Sequence, residues 1–306
     1  MNTLTSPRKV RCLLAHSERT MVDVRLLSQV ELNLLRTDAY TRISQTTRSF
    51  LPQNETEIRA IVDNTRVELS LWLEEWVAVV AREPDHQQAS MALQNLRIQH
   101  EWALMTLNLK AIAASGIENI ALMSEYQLNF VCLAKEAASR HLRYMLRGNS
   151  TPSSAPTSDA SPEPTYLGTF RWTLDYVWAK CAVSVLLVLK LAILLRDPAP
   201  SVISLLRDAH RVLEELKTVT FGHISYFRIL QVSVEKCEAA LQEYVAEQSV
   251  SIDASKGPGT ESGSAETDFQ DYVPVEFVFD WEFPGLNLKR MPLGWQDLFV
   301  NIDNLF

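Results

Sequence analysis

The side chains that could do chemistry are a few acidic residues and histidines spread over 306 residues. His100-Glu101 begins the metalloprotease pattern H-E-x-x-H, in which two histidines on one helical face hold zinc. Leu104 stands where the second histidine belongs. Glu74-Glu75 and Glu214-Glu215 resemble acid–base pairs, but neighbouring carboxylates on a helix point apart. We therefore predict that the chain is not an enzyme.

The four cysteines do not have the spacing of a metal site. Cys12, Cys132, Cys181 and Cys237 are far apart in sequence, whereas structural zinc sites use pairs of cysteines two to four residues apart. We interpret them as small apolar residues within helices, in a protein of a reducing compartment. No cofactor and no metal are expected for this sequence.

The elements that must position any site are predicted to be helical. The chain has only nine glycines, whereas β-rich folds need more of them for turns, and its apolar residues recur three and four positions apart. On the first helix, this face is Val22, Leu26, Leu27, Val30 and Leu34. Further helices are predicted at 54–82, 90–114, 120–146, 166–196, 201–216 and 224–247, with Ser201 as a cap.

The predicted fold is all-α: an irregular multi-helix bundle with a disordered internal linker and a flexible acidic C-terminal tail. Residues 1–148 form the first helical half, and residues 166–248 form the second. Between them, twelve of the seventeen residues 149–165 are Ser, Thr or Pro, which cannot offset their ordering entropy by burial. The most apolar stretch, residues 181–195, is shorter than the roughly 20 residues that a membrane span needs. We expect a buried core helix there and no contact with a membrane.

The tail, residues 249–306, carries nearly all of the net charge of −8. Residues 251–306 hold 10 acidic and 3 basic side chains, while the rest of the chain holds 27 and 26. Binding of nucleic acid requires clustered Lys and Arg to neutralise phosphates, so no direct nucleic-acid contact is expected. The acidic tail is the main functional clue.

Aromatic and aliphatic residues interleave with these acids and are the candidate partner-binding residues. The last of them recur at helical spacing, which predicts a short amphipathic helix that inserts into an apolar groove of a partner. Docking on the helical body is the alternative, because an intramolecular contact costs less entropy. Period-two alternation up to Phe283 also allows an edge strand. The candidates are Trp281, Phe283, Trp295, Leu298, Phe299, Ile302 and Phe306.

Several segments resemble the regulatory region, also called the middle homology region, of fungal zinc binuclear cluster transcription factors. The resemblance covers roughly residues 18–250, and residues 295–306 resemble the terminal activation motif of some members. The segments that carry it are 22–32, 71–76, 96–103, 107–111, 166–167, 175–182 and 187–191.

The resemblance implies a regulatory and activation region that controls RNA polymerase II genes from the nucleus, with the cytoplasm as a second location. Its partners would be coactivators or other transcription proteins, together with a small-molecule effector. The family is defined by an N-terminal six-cysteine cluster that binds two zinc ions and reads DNA. This sequence lacks it, so zinc is expected only in a missing N-terminal cluster.

Two explanations of that difference stay open. Either the sequence is a fragment or a mispredicted, truncated gene model, or it is a paralogue that lost its DNA-binding module. The alternative function is a helical interaction scaffold without a transcriptional role, or a dominant-negative decoy of a full-length factor.

Overall fold

The computed structural model describes residues 12–16, 18–48, 54–114, 123–147, 166–167, 175–217, 224–254, 282–283 and 286–287. The described part confirms the all-α prediction. After a 3-10 turn at Leu13–Ala15, its helices are α1 (Met21–Arg48), α2 (Asn54–Val80), α3 (His86–Ala114), α4 (Glu125–Leu146), α5 (Asp175–Leu194), α6 (Ala199–Lys217) and α7 (Ile224–Ala254). A short antiparallel ribbon joins β1 (Glu282–Phe283) to β2 (Leu286–Asn287), with Phe283 opposite Leu286.

The chain divides into two compact units, Met1–Tyr166 and Leu167–Phe306. Unit 1 contains α1 to α4, and unit 2 contains α5 to α7 and the ribbon. The predicted linker at residues 149–165 lies outside the described residues, as does most of the predicted tail. Helix α7 continues to Ala254, beyond the expected end at Glu247.

Unit 1 is built around the antiparallel pair α1 and α2, on which α3 packs; α4 then packs on α3. Arg19, before α1, forms an ion pair of 2.6 Å with Glu83, after α2. The start of α1 therefore lies beside the end of α2, as an antiparallel pair requires. Helix α3 has buried residues around its circumference, which confirms that it is a central helix.

Helix α4 begins at a capping box that the sequence analysis missed. The Ser124 hydroxyl accepts a hydrogen bond from the Gln127 backbone N–H at 3.3 Å, and the Gln127 side-chain oxygen accepts one from the Ser124 N–H at 2.9 Å. Both N–H groups would otherwise lack helical partners. The Ser-x-x-Gln signature was present in the sequence, although the helix was expected to begin near Ile120.

In unit 2, helix α5 is buried over Cys181–Leu189, as expected of a core helix. It ends in a Schellman motif, in which the Asp197 N–H donates to the Ala192 carbonyl at 2.8 Å and Arg196 has a φ of 55°. That left-handed conformation normally favours glycine. Pro198 follows, and α6 begins at Ala199. Ser201 therefore lies inside the first turn, and its prediction as the cap was wrong.

The capping box gives the first prediction. Ser124→Ala removes the acceptor for the Gln127 N–H and the hydroxyl that donates to Glu55 at 3.0 Å. We expect the free energy of unfolding to fall by about 1 kcal/mol, measured by urea denaturation. Ser139→Ala is the matched control, because that hydroxyl bonds only to the Lys135 carbonyl within the same helix. Equal transitions for the two variants would contradict a stabilising cap.

Candidate functional site

The predicted partner-binding residues fall almost entirely outside the described part of the chain. Phe283 is placed in β1, opposite Leu286 of β2. The remaining candidates lie outside the described residues, and their role stays a prediction. They are Trp281, Trp295, Leu298, Phe299, Ile302 and Phe306.

Helix α1 presents a line of apolar side chains to solvent. Val22 is 69% exposed, Leu26 58% and Leu34 37%, and Val30 between them is half-buried. Residues four apart form a continuous ridge along a helix surface, and we call these four residues the α1 ridge. In the sequence pattern these four residues and Leu27 form one apolar face. Only Leu27 is buried, so the tertiary structure divides that face.

Two tryptophans of α2 explain why α1 turns its other side inward. The Trp72 indole N–H donates to the Ser28 carbonyl at 3.0 Å, and the Trp76 indole N–H donates to the Glu31 carboxylate at 3.1 Å. Ser28 and Glu31 are both buried. A buried indole N–H without an acceptor costs about 1–3 kcal/mol. The acceptors on α1 must therefore face α2, which leaves the ridge outside.

A second polar contact joins α1 to α3. The Tyr40 hydroxyl donates to the Thr106 hydroxyl at 2.6 Å, and the Arg36 guanidinium lies 5.6 Å from the centre of the Tyr40 ring. The Thr106 hydroxyl in turn donates to the Trp102 carbonyl at 2.9 Å. These bonds satisfy polar groups at the helix interface and hold α1 in the same rotation.

One histidine of α3 and one of α4, His100 and His141, are core residues. His100 is buried, neither of its ring nitrogens has a hydrogen-bond partner, and its Nδ1 lies 3.8 Å from the Glu101 carboxylate. That carboxylate accepts a hydrogen bond from Arg140 at 3.0 Å. His141 is fully buried with its ring 5.5 Å from that of Trp102. Within the described ranges, no three His, Cys, Asp or Glu residues are grouped so that they could hold a metal.

The cysteines divide into two pairs by their exposure to solvent. Cys181 and Cys237 are buried, whereas Cys12 and Cys132 are exposed. Burial raises the pKa of the Cys181 thiol to about 12. Burial and, to a smaller extent, the Glu238 carboxylate raise the pKa of the Cys237 thiol to about 12. Both stay protonated at neutral pH, so neither supplies a thiolate nucleophile.

A cleft of about 360 Å³ opens between the C-terminal part of α1 and the first turns of α2. Its lining residues come from both of these helices. They are Arg42, Gln45, Thr46, Glu57, Ala60 and Ile61. Opposite charges and a buried apolar side chain therefore meet in a single cleft.

Comparison of the chain with protein-family models, curated proteins and solved structures finds no match. Among the helices of the described part, none is both long and apolar enough to cross a membrane. The described surface thus offers two candidate sites, the α1 ridge for a protein partner and the α1–α2 cleft for a small molecule.

The division of the α1 apolar face is testable with two adjacent leucines. Leu27→Ala deletes a side chain that is 5% exposed, so we expect a loss of about 2–5 kcal/mol in unfolding free energy. Leu26→Ala on the ridge is the control, with an expected change within about 0.5 kcal/mol. Both are measured by urea denaturation. Equal losses would mean that the ridge lies inside the fold.

The bond between Trp76 and Glu31 is testable by a double-mutant cycle. Trp76→Phe keeps most of the ring but removes the N–H that donates a hydrogen bond to the buried carboxylate. We therefore expect the free energy of unfolding to fall by about 1.5–3 kcal/mol. In a Glu31→Met background the same change is expected to cost at least about 1 kcal/mol less, because no carboxylate loses its donor. Calorimetric or urea unfolding of the parent chain, the two single variants and the double variant gives the coupling free energy between Trp76 and Glu31. Additive losses would show that this bond does not contribute to stability.

Proposed function

We propose that this chain is the regulatory and activation portion of a fungal zinc binuclear cluster transcription factor. In this proposal it controls RNA polymerase II genes in the nucleus through contacts with coactivators or other transcription proteins. This sequence contributes no DNA-binding cluster to that activity. The single observation that carries the protein-contact part is the α1 ridge, a row of exposed apolar side chains along one helix.

An exposed apolar row supports a protein contact because exposing apolar surface to water is unfavourable in free energy, and a partner that covers the row removes that cost. Single exposed apolar residues are common on soluble proteins, whereas contiguous patches mark interaction sites. Val22, Leu26 and Leu34 share one ridge, and such a ridge fits the groove between ridges of a second helix. Helical partners with an apolar stripe are therefore the class that this surface suits.

The segments that carry the resemblance support the proposal by their arrangement. Segment 22–32 lies in α1 and segment 71–76 in α2, and the two indole hydrogen bonds join them directly. Segments 96–103 and 107–111 both belong to α3, the helix on which α1 and α2 pack. These four segments thus contribute to one contiguous core in unit 1, while segments 175–182 and 187–191 lie in α5 of unit 2.

The acidic tail supplies the second half of the proposed activity. Its 10 acidic and 3 basic residues would keep the interleaved aromatic side chains hydrated until a partner groove buries them. Trp295 and Phe299 are four positions apart in sequence, a spacing that suits recognition as an amphipathic helix. The body would then control when this motif is available.

A reporter assay tests the proposal with the full chain fused to a heterologous DNA-binding domain. We expect activation, and we expect Trp295→Ala with Phe299→Ala to abolish most of it, because the apolar anchors of the motif are lost. Asn301→Ala with Asn304→Ala is the matched control, since it changes polar positions of the same segment. Val22→Ser with Leu26→Ser tests the contribution of the ridge.

No activation by the fusion, at protein levels equal to those of an active control, would overturn the transcriptional assignment and favour a scaffold or decoy. Activation that the double alanine variant retains would remove the role of residues 295–306. If the tail alone activates more strongly than the full chain, the body masks the tail.

A further inference from the structure

The α1–α2 cleft has the dimensions of a small-molecule site. Its volume of about 360 Å³ lies at the small end of the range for ligand pockets, roughly 300–1,000 Å³. Thr46 and Ile61 are buried and line the cleft. Arg42 is half-buried, while Gln45 and Glu57 are exposed. A polar molecule with a small apolar part would match this lining.

Two opposite charges line the cleft without pairing with each other. The nearest acidic contact of Arg42 is Asp38 on its own helix, with a nitrogen–oxygen distance of 3.6 Å, too long for a good hydrogen bond. Throughout the described part of the chain, the Glu57 carboxylate and the Gln45 amide make no hydrogen bond or ion pair. The charged groups on the two helices are therefore both available to a third molecule.

We propose that this cleft binds a small zwitterion, an α-amino acid or a similar ammonium carboxylate. Its carboxylate would bind the Arg42 guanidinium, whose planar fork matches a carboxylate, and its ammonium group would bind the Glu57 carboxylate. The Gln45 amide adds a hydrogen bond to either end, and an aliphatic side chain of the ligand lies against Ile61.

The two opposite charges of the cleft favour a zwitterion over a simple anion or a simple cation. A plain anion would satisfy Arg42 but be repelled by Glu57, and a plain cation would do the reverse. A zwitterion pairs both groups at once and carries both charges at neutral pH, because its carboxyl group titrates well below pH 7 and its amino group above pH 7. It would also connect α1 to α2 and stabilise that helical pair.

Only the biological role of this binding rests on the proposed function, in which the amino acid would be the effector that the regulatory region senses. Binding itself is measured on the isolated full chain without a reporter. A cleft that binds amino acids in a chain that does not activate transcription would refute the proposed function alone. Activation by a chain that binds none would refute the cleft alone.

Isothermal titration calorimetry of the full chain with each common L-α-amino acid at millimolar concentration tests the proposal. We expect saturable binding of at least one aliphatic member. Its N-acetyl and carboxamide derivatives are each expected to bind at least about tenfold more weakly, because each loses one charge-assisted contact.

Variants locate the binding site. Arg42→Gln and Glu57→Gln are each expected to weaken binding at least about tenfold. The matched control is Glu74→Gln, an exposed carboxylate of α2 that does not line the cleft, and it is expected to bind like the parent chain. Circular dichroism of each variant verifies the helical fold.

Three outcomes would overturn the proposal. They are no binding by any amino acid, equal binding by the blocked derivatives, and binding that both cleft variants retain. The second would indicate a simple anion or cation site, and the third a site elsewhere on the chain.

Discussion

The rest of unit 1 depends on how two indole N–H groups of α2 find acceptors inside the fold. Turning α1 to bury its ridge would exchange Val24, Leu27, Leu32 and Ile43, all buried now, for four similar side chains. At about 1.5–3 kcal/mol for each fully buried side chain, that exchange is nearly balanced. The hydrogen bonds are not balanced, because the same turn would move the Ser28 carbonyl and the Glu31 carboxylate away from their tryptophans. Leaving two buried donors unpaired costs about 2–6 kcal/mol in total, so the indole bonds, together with the bond between Tyr40 and Thr106, favour the observed rotation of α1.

That rotation also brings the cleft residues together. Gln45 lies about four helical turns beyond Glu31 and returns to nearly the same side of α1. The side of α1 that meets the tryptophans in its first half therefore meets Glu57, Ala60 and Ile61 near its end. The apolar ridge and the charged cleft are two consequences of one helix orientation. A protein contact on the ridge and a ligand in the cleft would both act on α1, which gives a direct physical route for coupling them.

Much of the fold could be predicted from local pattern. The all-α class, the central position of α3 and the burial of α5 were predicted correctly, because each follows from apolar spacing within a single segment. The start of α4 was predicted too early, although the Ser124 capping signal was present in the sequence. The start of α6 was misplaced because Ser201 looked like a cap, while the Schellman motif at Arg196 allowed the new helix to begin at Ala199.

The sequence by itself determined which segments are helical and that the acidic charge is concentrated at the C-terminal end. It did not determine which side of α1 is buried, because Val22 and Leu27 are equally apolar and their spacing suits one face. Only the tertiary structure decided this, through bonds between residues 44 and 45 positions apart in sequence. The cleft was unpredictable for the same reason, since its two charges belong to different helices. Periodicity reports the local conformation of the backbone, whereas the burial of a side depends on partners that only folding brings near.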